Sequence, residues 1–125
     1  MQDIPMDLLE KLSRAVLESP VLSVMVVDRE MHIVWHNRSY ARDMGAAGSD
    51  LRGRKCYEVA SDVKVHKGCP TQSTLREGSH TRGLYDFGEK NAVILTIPLG
   101  GGLAVKVHTF VPKDAGHDPE MFPGE

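Results

Sequence analysis

Three side chains near the middle of the chain could bind a metal ion: Cys56, His66 and Cys69. Thiolate sulfur and imidazole nitrogen are ligands for zinc and for other soft or borderline metals. His66 and Cys69 are separated by two residues, a gap that lets both side chains bind one ion. A structural zinc site needs four ligands, so the fourth would come from Asp62, from His80 or from outside the chain.

The same two cysteines support a redox hypothesis. Cys69 precedes a predicted helix that begins at Pro70, and a helix N-terminus stabilises a thiolate and makes it more reactive. Cys56 would then be its resolving partner. The alternative is that Cys56 packs as a small hydrophobic side chain beside Tyr57, and that Cys69 only precedes a helix. The sequence leaves the metal, thiol and packing hypotheses open.

The bulk properties of the chain indicate one globular domain. Its 125 residues suffice for a single core. Hydrophobic residues at 41% and charged residues at 26% are typical of soluble proteins, and a net charge of -2 gives no positive surplus for nucleic acid or an anionic membrane. The N-terminus has no basic segment followed by a long apolar stretch. We therefore expect a cytoplasmic protein that contacts neither nucleic acid nor membrane directly.

Hydrophobic periodicity predicts a helix and a β-hairpin in the first part of the chain. Over residues 6–18, leucine and valine recur at three- and four-residue steps, which places them on one face of a helix. Pro20 ends this helix, and the β-branched residues of 21–27 predict a strand. Alternation over 31–36 predicts a second, antiparallel strand. Asn37 then caps a short helix.

The second part of the chain predicts short helices followed by three strands. The predicted helices cover 55–60 and 70–77, and the predicted strands cover 81–87, 92–97 and 103–111. Together these elements predict an α+β fold: a five-stranded antiparallel sheet covered on one face by short helices, with an N-terminal flanking helix.

Two details of the last strands carry expectations about burial. The continuous apolar run 92–97 predicts a buried central strand. In the last strand Leu103, Val105 and Val107 alternate with Lys106 and His108, so we expect Lys106 and His108 to point to solvent. Three consecutive glycines at 100–102 predict the hairpin turn between these strands.

Residues 20–112 resemble the PAS family of sensory domains. The family tends to have two strands, the second of which ends in an asparagine, followed by an aromatic residue three positions later and by a glycine. Asn37, Tyr40 and Gly45 fit this pattern. The resemblance implies an N-terminal flanking helix over 1–19, a PAS sensor domain over 20–112, and a tail or linker over 113–125.

The chain also resembles a PAS subgroup that carries a Cys-Tyr motif and, further on, a Cys-x-x-Cys-Pro motif. Cys56 and Tyr57 match the first motif. In the second motif Cys69 and Pro70 are present, but His66 stands in place of the first cysteine. The set of metal ligands that this resemblance implies is therefore changed at one position.

The resemblance implies a sensory signal-transduction domain and not an enzyme. Such a domain binds a small molecule or cofactor and relays the signal, through dimerisation or docking, to an output domain such as a histidine kinase of a two-component system or a transcription regulator. The apolar stripe of the N-terminal helix would pack either in a homodimer interface or against the sheet of its own chain. A protein-association module without ligand is the alternative. The sequence contains no evident constellation of nucleophile and base, or of paired carboxylates.

The predicted pocket lies between the sheet and its helices. Strand and helix alternation predicts six lining residues: Val26, Trp35, Tyr40, Leu75, Leu95 and Val107. They suit an apolar or mixed organic ligand, whose identity the sequence does not give. Around Cys56 only that cysteine and Gly53 match the flavin-binding motif of light-sensing relatives, and the helix 70–77 lacks the histidine of haem sensors. We therefore expect neither flavin nor haem.

Overall fold

The structure is a computed structural model that describes residues 3–59, 70–86 and 90–112. Its helices are α1 (Met6–Leu17), α2 (Arg38–Asp43), α3 (Cys56–Val59) and α4 (Pro70–Glu77). Its strands are β1 (Ser23–Val27), β2 (Ile33–His36), β3 (Thr81–Asp86), β4 (Lys90–Gly100) and β5 (Leu103–Pro112). Each helix and strand predicted from the sequence has a counterpart here, and α4 has the predicted bounds. The tail at 113–125 lies outside the described residues.

The five strands form one antiparallel sheet in the order β2-β1-β5-β4-β3. Three of the pairings are hairpins between strands that follow each other in the chain. The fourth, between β1 and β5, joins the beginning of the domain to its end. At the turn between β4 and β5, Gly100, Gly101 and Gly102 all have positive φ angles, a conformation that favours glycine. The predicted fold class is thus confirmed.

One face of the sheet, which we call the inner face, packs against the short helices. Residues opposite each other in an antiparallel pair point to the same face, and the register aligns Val27 with Ala104. These two residues belong to the buried core cluster, which is completed by residues of β1, β2, α2, α3 and the connecting loops: Met25, Met31, Ile33, Tyr40, Ala41, Leu51 and Cys56. The opposite side of the sheet is the outer face.

The side chain of Asn37 connects β1 to the end of β2 and to α2. Its Oδ1 accepts hydrogen bonds from the backbone N–H groups of Val24 (3.1 Å) and Tyr40 (3.0 Å), and its Nδ2 donates to the carbonyl of Leu22 (2.8 Å). Asn37 is therefore the N-cap of α2, as predicted, and it also satisfies two polar groups of the β1 segment.

The N-terminal helix α1 presents an apolar face that nothing in the described structure covers. None of its residues is buried, and its larger apolar side chains are exposed, among them Leu8, Leu9, Leu12 and Val16. A helix of 12 residues has little stability of its own in water, so this face is suited to packing against another surface. No described helix is long and apolar enough to span a membrane.

Two expectations about burial were wrong. Lys106 and His108 point to the inner face and are buried, whereas Val105 and Val107 lie on the outer face and are only half-buried. The reason is that β5 pairs with both β1 and β4, and this register, not hydrophobicity alone, selects the face. The central strand is β5, and β4 buries only alternate residues of its apolar run.

Replacing Asn37 with alanine should lower the free energy of unfolding by about 2–4 kcal/mol, because the change removes a helix cap and leaves buried backbone groups of β1 without partners. Urea unfolding followed by circular dichroism measures this loss. The neighbouring exposed Arg38 provides the control, since Arg38→Ala should change stability by less than about 0.5 kcal/mol. Equal effects of the two substitutions would contradict the role given to Asn37.

Candidate functional site

A group of buried polar side chains lies between α4 and the inner face of the sheet. The helix α4 contacts β3, β4 and β5, and its residues Thr71 and Thr74, three positions apart on one helical face, are fully buried. Below them the register aligns Thr81 with Thr96 and Thr96 with Lys106 in one row across the sheet. We call this group the inner polar cluster: Thr71, Thr74, Thr81, Thr96, Lys106 and His108.

The threonine hydroxyl groups of the inner polar cluster lack hydrogen-bond partners within the described ranges. This holds for Oγ1 of Thr71, Thr74, Thr81 and Thr96, all of which are inaccessible to solvent. Burying a hydroxyl group without a hydrogen bond costs roughly 1–3 kcal/mol, and such groups are rare in native proteins. Four of them together make this region the candidate ligand site.

Lys106 is the one fully charged side chain among the buried residues that the structure describes. It is 8% exposed, and its neighbours in the row are Thr96 and Met25, neither of which carries a negative charge. No described residue forms an ion pair or hydrogen bond with its ammonium group. Most of the Lys106 side chain is buried, so a negatively charged partner bound at its ammonium group would stabilise this arrangement.

His108 lies in the row next to Lys106 and is 3% exposed. Burial, followed by the positive charge of Lys106, lowers the pKa of His108 to about 3. Its imidazole is therefore neutral near pH 7 and can donate through one nitrogen and accept through the other. The ring of Phe110 stacks on it with centroids 5.9 Å apart, and the ring of Tyr40 lies at the same centroid distance. These rings connect the inner polar cluster to the apolar core.

Asp43, whose charge also acts on His108, is already engaged by other groups. The Ser23 hydroxyl donates a hydrogen bond to its Oδ2, and the Arg42 Nε donates one to its Oδ1 at 3.0 Å. Burial raises the pKa of Asp43, but these hydrogen bonds outweigh burial and hold it below the ordinary value. Asp43 is therefore an ionised carboxylate with its own partners, and it does not neutralise Lys106.

Apolar surface borders the inner polar cluster. Ile94 and Ala92 are buried on the inner face of β4, and Leu75 of α4 packs against the core cluster. At Gly83 an added Cβ would lie 2.8 Å from the ring of Tyr85, so this glycine allows the Tyr85 ring to lie against the bare backbone of β3. A molecule held by the cluster would thus meet both polar groups and apolar walls.

The six residues predicted to line the pocket lie on both faces of the sheet. Tyr40 and Leu75 belong to the inner side, where Tyr40 contacts His108. The other four lie on the outer face: Val26, Trp35, Leu95 and Val107. The six therefore do not line one pocket, because the strand alternation was assigned to the wrong face. Contact of any of them with a ligand stays a prediction.

The metal and thiol hypotheses depend in part on residues outside the described ranges, since both His66 and Cys69 fall there. Cys56 is described, and it is buried in the core cluster. Burial, followed by the electrostatic interaction with Cys56, raises the pKa of Tyr40. Within the described ranges no three potential metal ligands come together. Both hypotheses stay predictions.

An open cleft of about 320 Å³ lies at the paired strands β3 and β4 and includes one of the predicted pocket residues, Leu95. Its other lining residues are His80, Thr81, Arg82 and Ile97. Leu95 is 37% exposed on the outer face, and the cleft is open to solvent. A ligand there would lose little contact with water, so we prefer the inner polar cluster as the candidate site.

Most of the inner polar cluster was not predicted from the sequence. One available signal was the composition of α4, which covers the sheet although Leu75 is its only large aliphatic residue. A covering helix normally presents an apolar stripe, so threonine at positions 71 and 74 indicates a polar interior. A second signal was Lys106 and His108 within a strand that has no exposed edge.

Comparisons with known proteins agree with this architecture. Residues 17–82 match a family model described as the PAS fold. A domain of an HTR-like protein from Haloarcula marismortui is similar, with a TM-score of 0.64 and 19% identity over 74% of this chain and 99% of that chain. No curated protein sequence matches the chain.

Two further similar structures come from sensor kinases. A domain of the sensory box sensor histidine kinase/response regulator from Geobacter sulfurreducens has a TM-score of 0.64 and 12% identity, over 84% of this chain and 96% of that chain. The photoactive yellow protein domain of the sensor histidine kinase Ppr from Rhodospirillum centenum has a TM-score of 0.59 and 18% identity, over 79% and 94% of the two chains. These similarities concern the fold.

The chain is thus an α+β domain in which helices cover one face of an antiparallel sheet and the inner polar cluster lies beneath α4. Because the family model matches more than half of it, the chain belongs to the PAS family.

The buried neutral His108 should make the stability of the domain depend on pH. Its pKa is lower in the folded protein than in the unfolded chain, where it has the ordinary value of about 6.5. Between these two values the unfolded chain binds more protons, so stability is fully present above about pH 6.5 and falls as the pH falls toward 3. In the middle of this window the loss from His108 approaches about 1.4 kcal/mol per pH unit.

Unfolding by urea at pH values from 7 to 4 measures this dependence. His108→Gln should flatten the curve, since the substituted side chain does not titrate. The exposed His80 serves as the matched control, because His80→Gln should leave the slope unchanged. A wild-type slope that His108→Gln does not reduce would show that His108 is not buried as a neutral base.

Proposed function

We propose that the chain is a cytoplasmic sensory module that binds a small organic molecule at the inner polar cluster and passes the signal on through its sheet and flanking helix. The observation that carries this proposal is the group of four buried threonine hydroxyl groups without described partners beside Lys106.

The polar interior of the domain supports ligand binding rather than a role in protein association alone. A domain that served only as a scaffold would gain stability from an apolar interior, whereas this interior carries threonine hydroxyl groups that have no partner in the part of the chain that the structure describes. Cys56, the one cysteine that the structure describes, lies in the apolar core cluster, which does not suit a reactive nucleophile. Reversible binding is therefore the function that the inner polar cluster supports best.

The outer face and α1 support the second part of the proposal, relay through a homodimer. The outer face carries half-buried or exposed apolar residues such as Val105, Trp35 and Leu95. The apolar stripe of α1 is uncovered as well, and large exposed apolar surfaces mark interaction sites. We propose that α1 and the outer face pair with a second copy of the chain. An output domain such as a histidine kinase or a transcription regulator would receive the signal.

Native mass spectrometry of the protein as purified tests the ligand site. We expect a mass excess that is lost on denaturation. Thr74→Val and Thr96→Val should each weaken ligand affinity by about tenfold, as the loss of one or two hydrogen bonds implies, and so lower the occupied fraction. Valine is nearly isosteric with threonine, so the fold should persist. Thr109→Val, on the outer face, is the matched control. Equal occupancy in all variants would place the ligand elsewhere.

Sedimentation equilibrium tests the dimer. Leu12→Glu in α1 and Leu95→Glu on the outer face should each weaken association by at least about tenfold, because a buried carboxylate without a partner is costly. Arg14→Glu introduces the same residue on the polar side of α1 and should have little effect. A wild-type protein that is monomeric at millimolar concentration would overturn this part of the proposal.

A further inference from the structure

The chemistry of the inner polar cluster also limits which small molecules it can accept. This step rests on the ligand site proposed above. We infer that the inner polar cluster binds an organic monoanion, with its carboxylate at Lys106 and the threonine hydroxyl groups and its apolar part against the walls formed by β4 and α4.

The balance of charge in the inner polar cluster favours a ligand with one negative charge. Among the buried residues that the structure describes, Lys106 is the only fully charged one. Asp43, which lies close enough to influence His108, is held by Ser23 and Arg42. One uncompensated cation favours a ligand with one negative charge, because a second negative charge would itself be buried without a partner.

The hydrogen-bond donors of the inner polar cluster suit a carboxylate. A lysine ammonium group can only donate, and a threonine hydroxyl can donate one hydrogen bond. The cluster aligns Thr81, Thr96 and Lys106 in one row, with Thr71 and Thr74 buried on the helix above. Such a set of donors matches the two oxygens of a carboxylate, which accept several hydrogen bonds and donate none when ionised.

The residues around the polar groups suit a ligand whose remaining part is a hydrocarbon. Ile94 and Ala92 lie on the same inner face, and Leu75 is on the same helix as the two buried threonines. His108 is neutral near pH 7 because burial and Lys106 lower its pKa. The surroundings of the cation are thus apolar or neutral, which disfavours a highly hydrated dianion such as inorganic phosphate and suits a carboxylate with a hydrocarbon part.

Isothermal titration with paired probes tests the inference. The probes are benzoate and the straight-chain carboxylates from acetate to octanoate, each compared with its neutral primary amide, together with inorganic phosphate. We expect at least one carboxylate to bind the wild-type protein at least tenfold more tightly than its amide, a difference of about 1.4 kcal/mol. Phosphate should bind more weakly than that carboxylate.

Lys106→Met keeps the length of the side chain and removes its charge. It should weaken the binding of the carboxylate by at least tenfold and leave the binding of the amide unchanged. Lys11→Met on the exposed helix α1 should change neither affinity.

Three results would overturn the inference: no carboxylate binds, each carboxylate binds no better than its amide, or Lys106→Met leaves carboxylate affinity unchanged. If neutral amides bind and Thr96→Val weakens them, the ligand site stands and only its anionic character is wrong. If no probe binds and native mass spectrometry finds no co-purified molecule, the proposed sensory function fails as well.

Discussion

The register of β5 between β1 and β4 determines the character of both faces of the sheet. Val107 is paired with Val24 on one side and with Leu95 on the other, and these residues point to the outer face. Because side chains alternate along a strand, the same register directs Lys106 and His108 inward. A slip of one residue would exchange the two sets. The candidate ligand site and the apolar outer surface are thus two results of one pairing.

The two halves of the inner face differ in how they contribute to stability. Around β1, β2 and α2 the interior is apolar, and Asn37 satisfies the backbone groups where these elements meet. Nearby, His36 accepts a hydrogen bond from the Leu51 N–H through Nε2 and contacts the Asn37 carbonyl through Nδ1, each at 2.9 Å. Beneath α4 the interior is polar, and its threonine hydroxyl groups have no hydrogen-bond partner among the described residues. Stability therefore comes from the first half, while the second half departs from the usual pattern of burial, as functional sites commonly do.

The strand β5 connects the inner polar cluster to the outer face of the sheet. Along β5 the residues of the inner polar cluster alternate with apolar residues of the outer face, so a displacement of this strand moves both sets together. The contact of Tyr40 with His108 extends the connection to α2, which Asn37 joins to β1. This physical continuity gives the proposed sensory role a route from the interior to the surface that α1 and the outer face present.

The sequence by itself determined the elements and the fold class. The periodicity of α1, the Asn37 cap, Pro70 at the start of α4 and the glycine turn at 100–102 are local signals, and each was present where it was predicted. Tertiary structure alone decided which face of β5 is buried, because that depends on pairing with β1, about 80 residues away in the chain. Hydrophobicity predicted the opposite face, since it registers that two kinds of side chain alternate but not which kind the helices cover.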